Sequence, residues 1–284
     1  MTKNLLSEAF ANGLGFPEGP RWKRGHLWLS DMHGGSVLRF DMQGNRTEVL
    51  EVRGQPSGLG FLPDGRLLVV SMKERHLLRL DPEGPVVVAD LGALVPGDLN
   101  DMVVDERGRA YIGNFGYDGA KGEEPRPTCL VLVTPEGRAR VVAEELAFPN
   151  GTVILPGNRT LVVAETLGER LTAFDIEKDG SLARRRVFAE LPDRMPDGIA
   201  ADAEGAIWVS CFSTDEFLRV REGGEITHRI AVEGRRAVAC ALGGERRRTL
   251  FLLTAETTAE ELEQGISRGF VERAPVEIGG AGIP

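Results

Sequence analysis

The sequence predicts an all-β protein, a six-bladed β-propeller of four-stranded antiparallel blades. It forms one domain over residues 1–284, its ring closed by an N-terminal strand. Three observations predict this. Five short segments look like copies of one another: Pro17-Glu18-Gly19, Pro56-Ser57-Gly58, Leu99-Asn100-Asp101, Pro149-Asn150-Gly151 and Pro196-Asp197-Gly198. Their central residues lie 39, 43, 50 and 47 residues apart, the period of a propeller blade. Each is followed by a short apolar run, a Gly-containing turn and a second apolar run. The chain's 36 glycines supply the positive φ that many tight turns require.

The elements follow in order. In the first repeat, the turn Arg24-Gly25 leads into a strand at 26–30, and a strand at 36–41 ends at Gln43-Gly44. The second repeat shows the whole unit. An inner strand at 59–62 meets the turn Pro63-Asp64-Gly65, strands follow at 67–71 and 76–81, and Pro82-Glu83-Gly84 turns the chain into an outer strand at 85–90. The third repeat uses Glu106-Arg107-Gly108, strands at 110–113 and 130–134, and Pro135-Glu136-Gly137. The fourth uses Gly157-Asn158, strands at 160–164 and 170–175, and Lys178-Asp179-Gly180. The fifth uses Ala203-Glu204-Gly205, strands at 206–210 and 217–220, and Gly223-Gly224. A sixth, weaker repeat has strands at 237–242, 249–254 and 270–273, with a turn at Gly243-Gly244. Little chain remains after Pro275 for its fourth strand. Residues 7–11, which precede the first blade, are therefore expected to complete the last one and hide its edge. Two segments break the pattern. Residues 117–127 are a Gly/Pro/charge-rich insertion expected to be a loop over one face. In residues 257–264, Thr is followed by clustered acids, the signal of a short helix.

Composition narrows the function. Hydrophobic residues at 42% are enough for a core, and the net charge of −9 arises from intermixed acids and bases. Arg184-Arg185-Arg186 and Arg246-Arg247-Arg248 are short and embedded in strand-and-turn patterns, as solvated blade edges are. An acidic chain without an aromatic-interleaved basic face argues against nucleic-acid binding. The three cysteines form no C-x-x-C pair and are expected to be buried free thiols. Residues 1–8 carry one lysine and no long apolar run, and no stretch approaches the roughly 18 apolar residues of a membrane span. No secretory signal, no membrane and a cytoplasmic location are the expectations.

In a ring of blades, equivalent positions converge on one axis, so Glu18, Asn100, Asn150 and Asp197 are expected to meet there. Asp101 adjoins Asn100, Ser57 is a weak member, and the sixth repeat offers only apolar groups and Cys240. The carboxylates of Glu18 and Asp197 with the amide oxygen of Asn150 give an all-oxygen set of charge −2. That set suits Ca²⁺, Mg²⁺ or Mn²⁺, whereas Zn²⁺ usually draws histidine or cysteine. Other motifs lack their context. Gly265-Ile266-Ser267-Arg268-Gly269 matches G-x-S-x-G, but that nucleophile pattern needs a strand before it and a helix after it in an α/β sheet. The histidines at 26, 33, 76 and 228 fall outside the strand-start positions, so neither a histidine metal site nor a triad is expected. No phosphate-binding or dinucleotide-binding glycine pattern occurs.

At these residues the chain resembles the SMP-30/gluconolactonase/LRE-like family. The matching stretches are Phe16-Pro17-Glu18-Gly19-Pro20-Arg21-Trp22, Leu99-Asn100-Asp101, Phe148-Pro149-Asn150-Gly151 and Met195-Pro196-Asp197-Gly198. The last continues in Asp202-Ala203-Glu204-Gly205-Ala206-Ile207-Trp208-Val209, and the resemblance spans about residues 13–254. It implies hydrolysis of a small lactone by one divalent metal in the central channel. The metal would be held by Glu18, Asn150 and Asp197, with Asn100 contacting substrate. Ca²⁺ is the first expectation, with Mg²⁺, Mn²⁺ and Zn²⁺ as alternatives. On this reading the metal polarises the carbonyl and activates water, Asp197 is ligand and general base, and Asp101 is the reserve base. Two positions depart from the family pattern. Asp98 stands where sugar-lactone members often carry Arg, and Met102 replaces a common Gly. A carboxylate in place of a cationic fork makes Asp98 a substrate-binding position of altered selectivity, directed to a different lactone or ester. Two other readings stay open on the sequence. One is a non-catalytic propeller that binds a small ligand or a protein and uses the metal structurally. The other is a strictosidine-synthase-like propeller with different chemistry, against which the joint presence of Glu18, Asn150 and Asp197 argues.

Overall fold

The computed structural model describes residues 2–118 and 121–282. Six antiparallel sheets stand in a ring. The first blade comprises Pro17–Lys23, His26–Asp31, Ser36–Phe40 and Arg46–Glu51, from the axis outward. The second comprises Pro56–Phe61, Leu67–Ser71, His76–Asp81 and Gly84–Asp90, and the third Leu99–Val104, Ala110–Asn114, Thr128–Val133 and Ala139–Leu146. The fourth comprises Pro149–Ile154, Thr160–Glu165, Arg170–Ile176 and Leu182–Glu190. In the fifth, Pro196–Ala201, Ile207–Cys211, Glu216–Val220 and Ile226–Ala231 are joined by Lys3–Asn4, a parallel fifth strand the sequence did not suggest.

The sixth blade consists of Arg236–Gly243, Thr249–Glu256 and Arg268–Pro275, completed on its outer edge by Glu8–Leu14. The N-terminal segment thus closes the ring as expected, though the strand runs three residues beyond Ala11. Its Phe10 packs edge-on to Phe251 at 5.2 Å, and Arg273 bonds Glu8 at 2.7 Å. The expected helix is Ala259–Glu263, with Thr258 as its N-cap in a capping box with Glu261. The 117–127 insertion carries no strand among its described residues, and Gly119 and Ala120 lie outside them.

Each blade is buried on both faces, so its middle strands are continuous apolar runs rather than alternating ones. Leu67–Ser71 and Ile207–Cys211 are buried at every position, whereas the outer strand Arg46–Glu51 has no buried residue. The core is accordingly divided. Among the described residues it forms six clusters, one between each pair of neighbouring blades. Burying one aliphatic side chain contributes about 1.5–3 kcal/mol, so these interfaces fix the blades around the axis. All three cysteines are buried and free. No helix among the described residues is long and apolar enough to cross a membrane.

Candidate functional site

Each innermost strand begins with its repeat motif and then departs from regular pairing. Register shifts fall between Glu18 and Arg21, Pro56 and Leu59, Leu99 and Met102, Pro149 and Thr152, and Pro196 and Ile199. A bulge re-aims the side chain it contains, and it recurs here at the same place in each repeat. The third motif residue sets how closely neighbouring strands approach. A Cβ on Gly151 would stand 2.5 Å from the Asp197 carbonyl oxygen, and one on Gly19 2.6 Å from that of Ser57. Glycine at this place therefore lets the inner strands close on the axis.

The sixth blade keeps the register with other residues. Ala237 pairs with Thr254 as Pro17 pairs with Asp31, which puts Val238 in the polar position. At that position the sixth blade therefore has no side-chain oxygen.

Glu18, Asn100, Asp101, Asn150 and Asp197 are all buried. Three carboxylates in one low-dielectric region resist joint ionisation. Burial pushes Glu18 well above the usual carboxylate range, and the charges of Asp197 and Asp101 push it further, against the Gly19 amide and Arg21. Burial and the charge of Asp101 likewise hold Asp197 well above its ordinary value, opposed by a hydrogen bond from Asn150. Asp101 is raised by burial but less exposed to repulsion. Arg21 donates to it at 2.8 Å, and the Met102 and Thr152 amides add to its support.

The side chain of Asn150 is oriented by a relay. Its Nδ2 donates to Thr166 Oγ1 at 3.2 Å, and that hydroxyl donates to the Pro196 carbonyl at 2.7 Å. Asn150 Oδ1 is left buried without a hydrogen-bond partner, and so is Asp197 Oδ1. Two unsatisfied acceptors beside mutually repelling carboxylates fit a cation. Among the described residues no three carboxylates, imidazoles or thiols gather at metal-ligand spacing. The set here is two carboxylates and an amide. Asn100 sits at the neighbouring blade junction, its Nδ2 directed to the Pro149 carbonyl at 3.4 Å.

Arg21 and Thr166 were not singled out from the sequence. Arg21 also donates to the carbonyls of Pro20 and Met102, which leaves its guanidinium fixed under the carboxylates. Asp98 is half-buried at the start of the third blade. Burial raises it, while Arg75 and Lys73 pull it down and Asp118 opposes them.

The Ser267 motif takes another place. Ser267 bonds His33 Nδ1 at 2.7 Å and donates to the Gly15 carbonyl at 3.0 Å, tying the sixth blade to the first. Asp31 accepts from the backbone amides of Gly15, Phe16 and Gly34, so it completes no triad. Further along the axis, Arg21, Cys240, Arg247 and the tail at 280–282 enclose a cavity of about 50 Å³.

Comparison with known proteins agrees with this architecture. A 6-deoxy-6-sulfogluconolactonase of Pseudomonas putida is 26% identical over 91% of this chain and 89% of its own. The calcium-binding protein regucalcin of Agrobacterium tumefaciens has the same fold, with a TM-score of 0.77, 19% identity and 99% of each chain covered. A gluconolactonase structure from Xanthomonas campestris gives a TM-score of 0.76 at 24% identity, covering 94% of this chain and 88% of that one. Residues 16–256 match the model of the SMP-30/Gluconolactonase/LRE-like region, and the chain belongs to that family.

Proposed function

We propose that the protein hydrolyses lactones, with a divalent cation held at the axis by Glu18, Asn150 and Asp197. The observation that carries this reading is the pair of buried, unpartnered oxygens, Asn150 Oδ1 and Asp197 Oδ1, beside the raised carboxyl of Glu18. An unsatisfied buried acceptor costs about 1–3 kcal/mol, and a cation bound there would satisfy both while relieving the repulsion. Hard oxygen donors favour Ca²⁺, with Mg²⁺ and Mn²⁺ next. A solved family relative described as calcium-binding supports that order. When bound, the ion supplies Lewis-acid polarisation of a carbonyl and acidifies water.

The chain's own groups divide the remaining work. With Oδ1 given to the cation, Asp197 would accept the proton of the attacking water on its second carboxylate oxygen. Asp101 is engaged by Arg21 and two amides, which supports giving the base role to Asp197 rather than to it. Asn100, tied only by a long 3.4 Å contact, turns its amide to the ring oxygen or a hydroxyl of the substrate. Asp98 accepts from substrate hydroxyls at the channel mouth. The named lactonases among the relatives support this reaction class.

The test is acid release by chelator-stripped protein against five- and six-membered lactones, with each metal restored in turn. Asp197→Ala is expected to lose both metal and turnover. Asn100→Ala is expected to keep the metal and lose about 100-fold in kcat, the range of a general polar contribution to a transition state. Metal-dependent turnover surviving in Asp197→Ala would remove the ligand assignment. A metal-loaded wild type silent on every lactone would remove the reaction.

A further inference from the structure

The cavity at the far end of the axis lies where the inner strands finish, away from the motifs with which they begin. Its charged lining groups among the described residues are two arginines, Arg21 and Arg247, in a chain of net charge −9. No carboxylate lines it. Asp202 follows the lining residue Ala201, but it is taken by Arg219 at 2.6 Å and by the Glu204 and Ala206 amides. Glu245, on the same turn as Arg247, is exposed. Arg21 is 7% exposed and spends three of its five N–H donors on Asp101, Pro20 and Met102. Two donors remain for the cavity. Arg247 is half-buried, and its side chain bonds no group among the described residues. The backbone is strained to place it. Arg246 and Arg247 both have φ of +54°, two non-glycine residues in succession. The matching turns of the first and fourth blades have one each, Arg24 and Asn158, beside a glycine. Such conformations cost free energy and cluster at functional sites. The tail locks the turn in place: the Val276 amide donates to the Arg248 carbonyl at 2.9 Å and the Gly280 amide to that of Arg247 at 3.0 Å.

We infer that this cavity binds a small carboxylate anion, held between the guanidinium groups of Arg21 and Arg247. A guanidinium presents its N–H donors as a planar fork, the complement of the two oxygens of a carboxylate. Charges withdrawn from water are stable when they are paired. The anion gives Arg247 the partner that the protein does not, and it accepts from the donors that Arg21 has left. Volume limits its size. A water-sized group takes roughly 10–15 Å³ of such space, so a cavity of about 50 Å³ admits about three or four heavy atoms, as in formate or acetate. Val103, Ile154 and Ile199 give the non-polar end of the anion an apolar wall. The site is distinct from the axial carboxylates, which repel anions, and Arg21 stands between the two.

The experiment titrates ¹³C-formate and ¹³C-acetate into the full chain and reads the broadening of their carbon resonances. Chelator-stripped protein is used, so that no axial cation can attract the carboxylate. Ionic strength is held constant with morpholinoethanesulfonate, an anion too large for the cavity. The wild type is expected to saturate with a Kd of about 1–10 mM, the range open to so few heavy atoms. Arg247→Gln is expected to weaken binding at least about tenfold. Arg247→Lys, which keeps the charge and loses the fork, should fall between the two. Arg246→Gln removes the same charge from an exposed neighbour on the same turn and should bind as the wild type does. Formate should also raise Tm in the wild type and leave it unmoved in Arg247→Gln. Broadening that does not saturate, or that is equal in the wild type and Arg247→Gln, overturns the site. An equal loss in Arg246→Gln reduces it to general surface charge and overturns it too. Benzoate binding as tightly as formate overturns the cavity as its location, and chloride displacing formate at equal concentration overturns the carboxylate as its ligand.

Discussion

Arg21 carries a fixed positive charge among three buried carboxylates, and its own surroundings show what removing it would do. Its side chain is 8% exposed, it bonds Asp101 at 2.8 Å, and it satisfies two backbone carbonyls as well. Breaking a buried pair from one side typically costs about 3–5 kcal/mol, because the remaining charge is left without a partner. Arg21→Met is therefore expected to lose about that much stability in urea unfolding, and Asp101→Asn on top of it should recover most of the loss. An Arg21→Met variant within about 1 kcal/mol of wild type would show that the pair carries little. The polar residues at 18, 100, 150 and 197 were legible in the sequence because each occupies a fixed place in a repeat. Arg21 and Thr166 were not. Each acts through a contact with another blade, Arg21 with a residue 80 positions away and Thr166 with the Pro196 carbonyl 30 away. No local pattern encodes such a partner.

At the scale of the strand, the motif does two jobs with neighbouring residues: the polar residue reaches the axis, and the glycine lets the next blade in. Gly151 tests the second job. A Cβ there would stand 2.5 Å from the Asp197 carbonyl oxygen and 2.6 Å from the Ile199 nitrogen, both backbone atoms that cannot rotate away. The inner strands of the fourth and fifth blades would have to separate, moving Asn150 relative to Asp197. Gly151→Ala is expected to destabilise by about 1–3 kcal/mol, as overpacking does, and to weaken divalent-metal binding at least tenfold by calorimetry. Gly92→Ala, in an exposed loop where the nearest atom is a side-chain oxygen at 3.2 Å, should stay within about 0.5 kcal/mol and keep metal affinity. Equal behaviour of the two variants would detach the glycine from the site. Strand order in five blades was readable from turn residues and apolar runs. The sixth blade was harder to see because Ala237-Val238-Ala239 keeps the register without Pro, a polar residue or Gly. Lys3–Asn4 was invisible because two polar residues in a parallel pairing leave no periodicity.

At the scale of the molecule, ring closure is what holds the axial carboxylates together. Glu8–Leu14 seals the sixth blade, and the six interblade clusters hold the inner strands at fixed separations. Glu18 and Asp197 therefore cannot move apart to relieve their repulsion, and burial with mutual charge raises both. The sign of the consequence is set by proton binding. In the window above the ordinary values of 4.5 and 3.8, the unfolded chain has released protons that the metal-free folded protein still holds. The unfolded state then binds fewer protons, so folding stability falls as pH rises through that window. In chelator, Tm is expected to drop between about pH 4 and neutrality, by roughly 2–4 °C for each kcal/mol lost. The Glu18→Gln, Asp197→Asn double variant should lose most of that slope. Saturating Ca²⁺ should restore wild-type Tm at neutral pH and gain less near pH 4, where protons compete for the same oxygens. A metal-free Tm that tracks the double variant across the whole range would mean that the ring does not force these carboxylates together. The proposed cation would then act in the chemistry alone and not in the integrity of the fold.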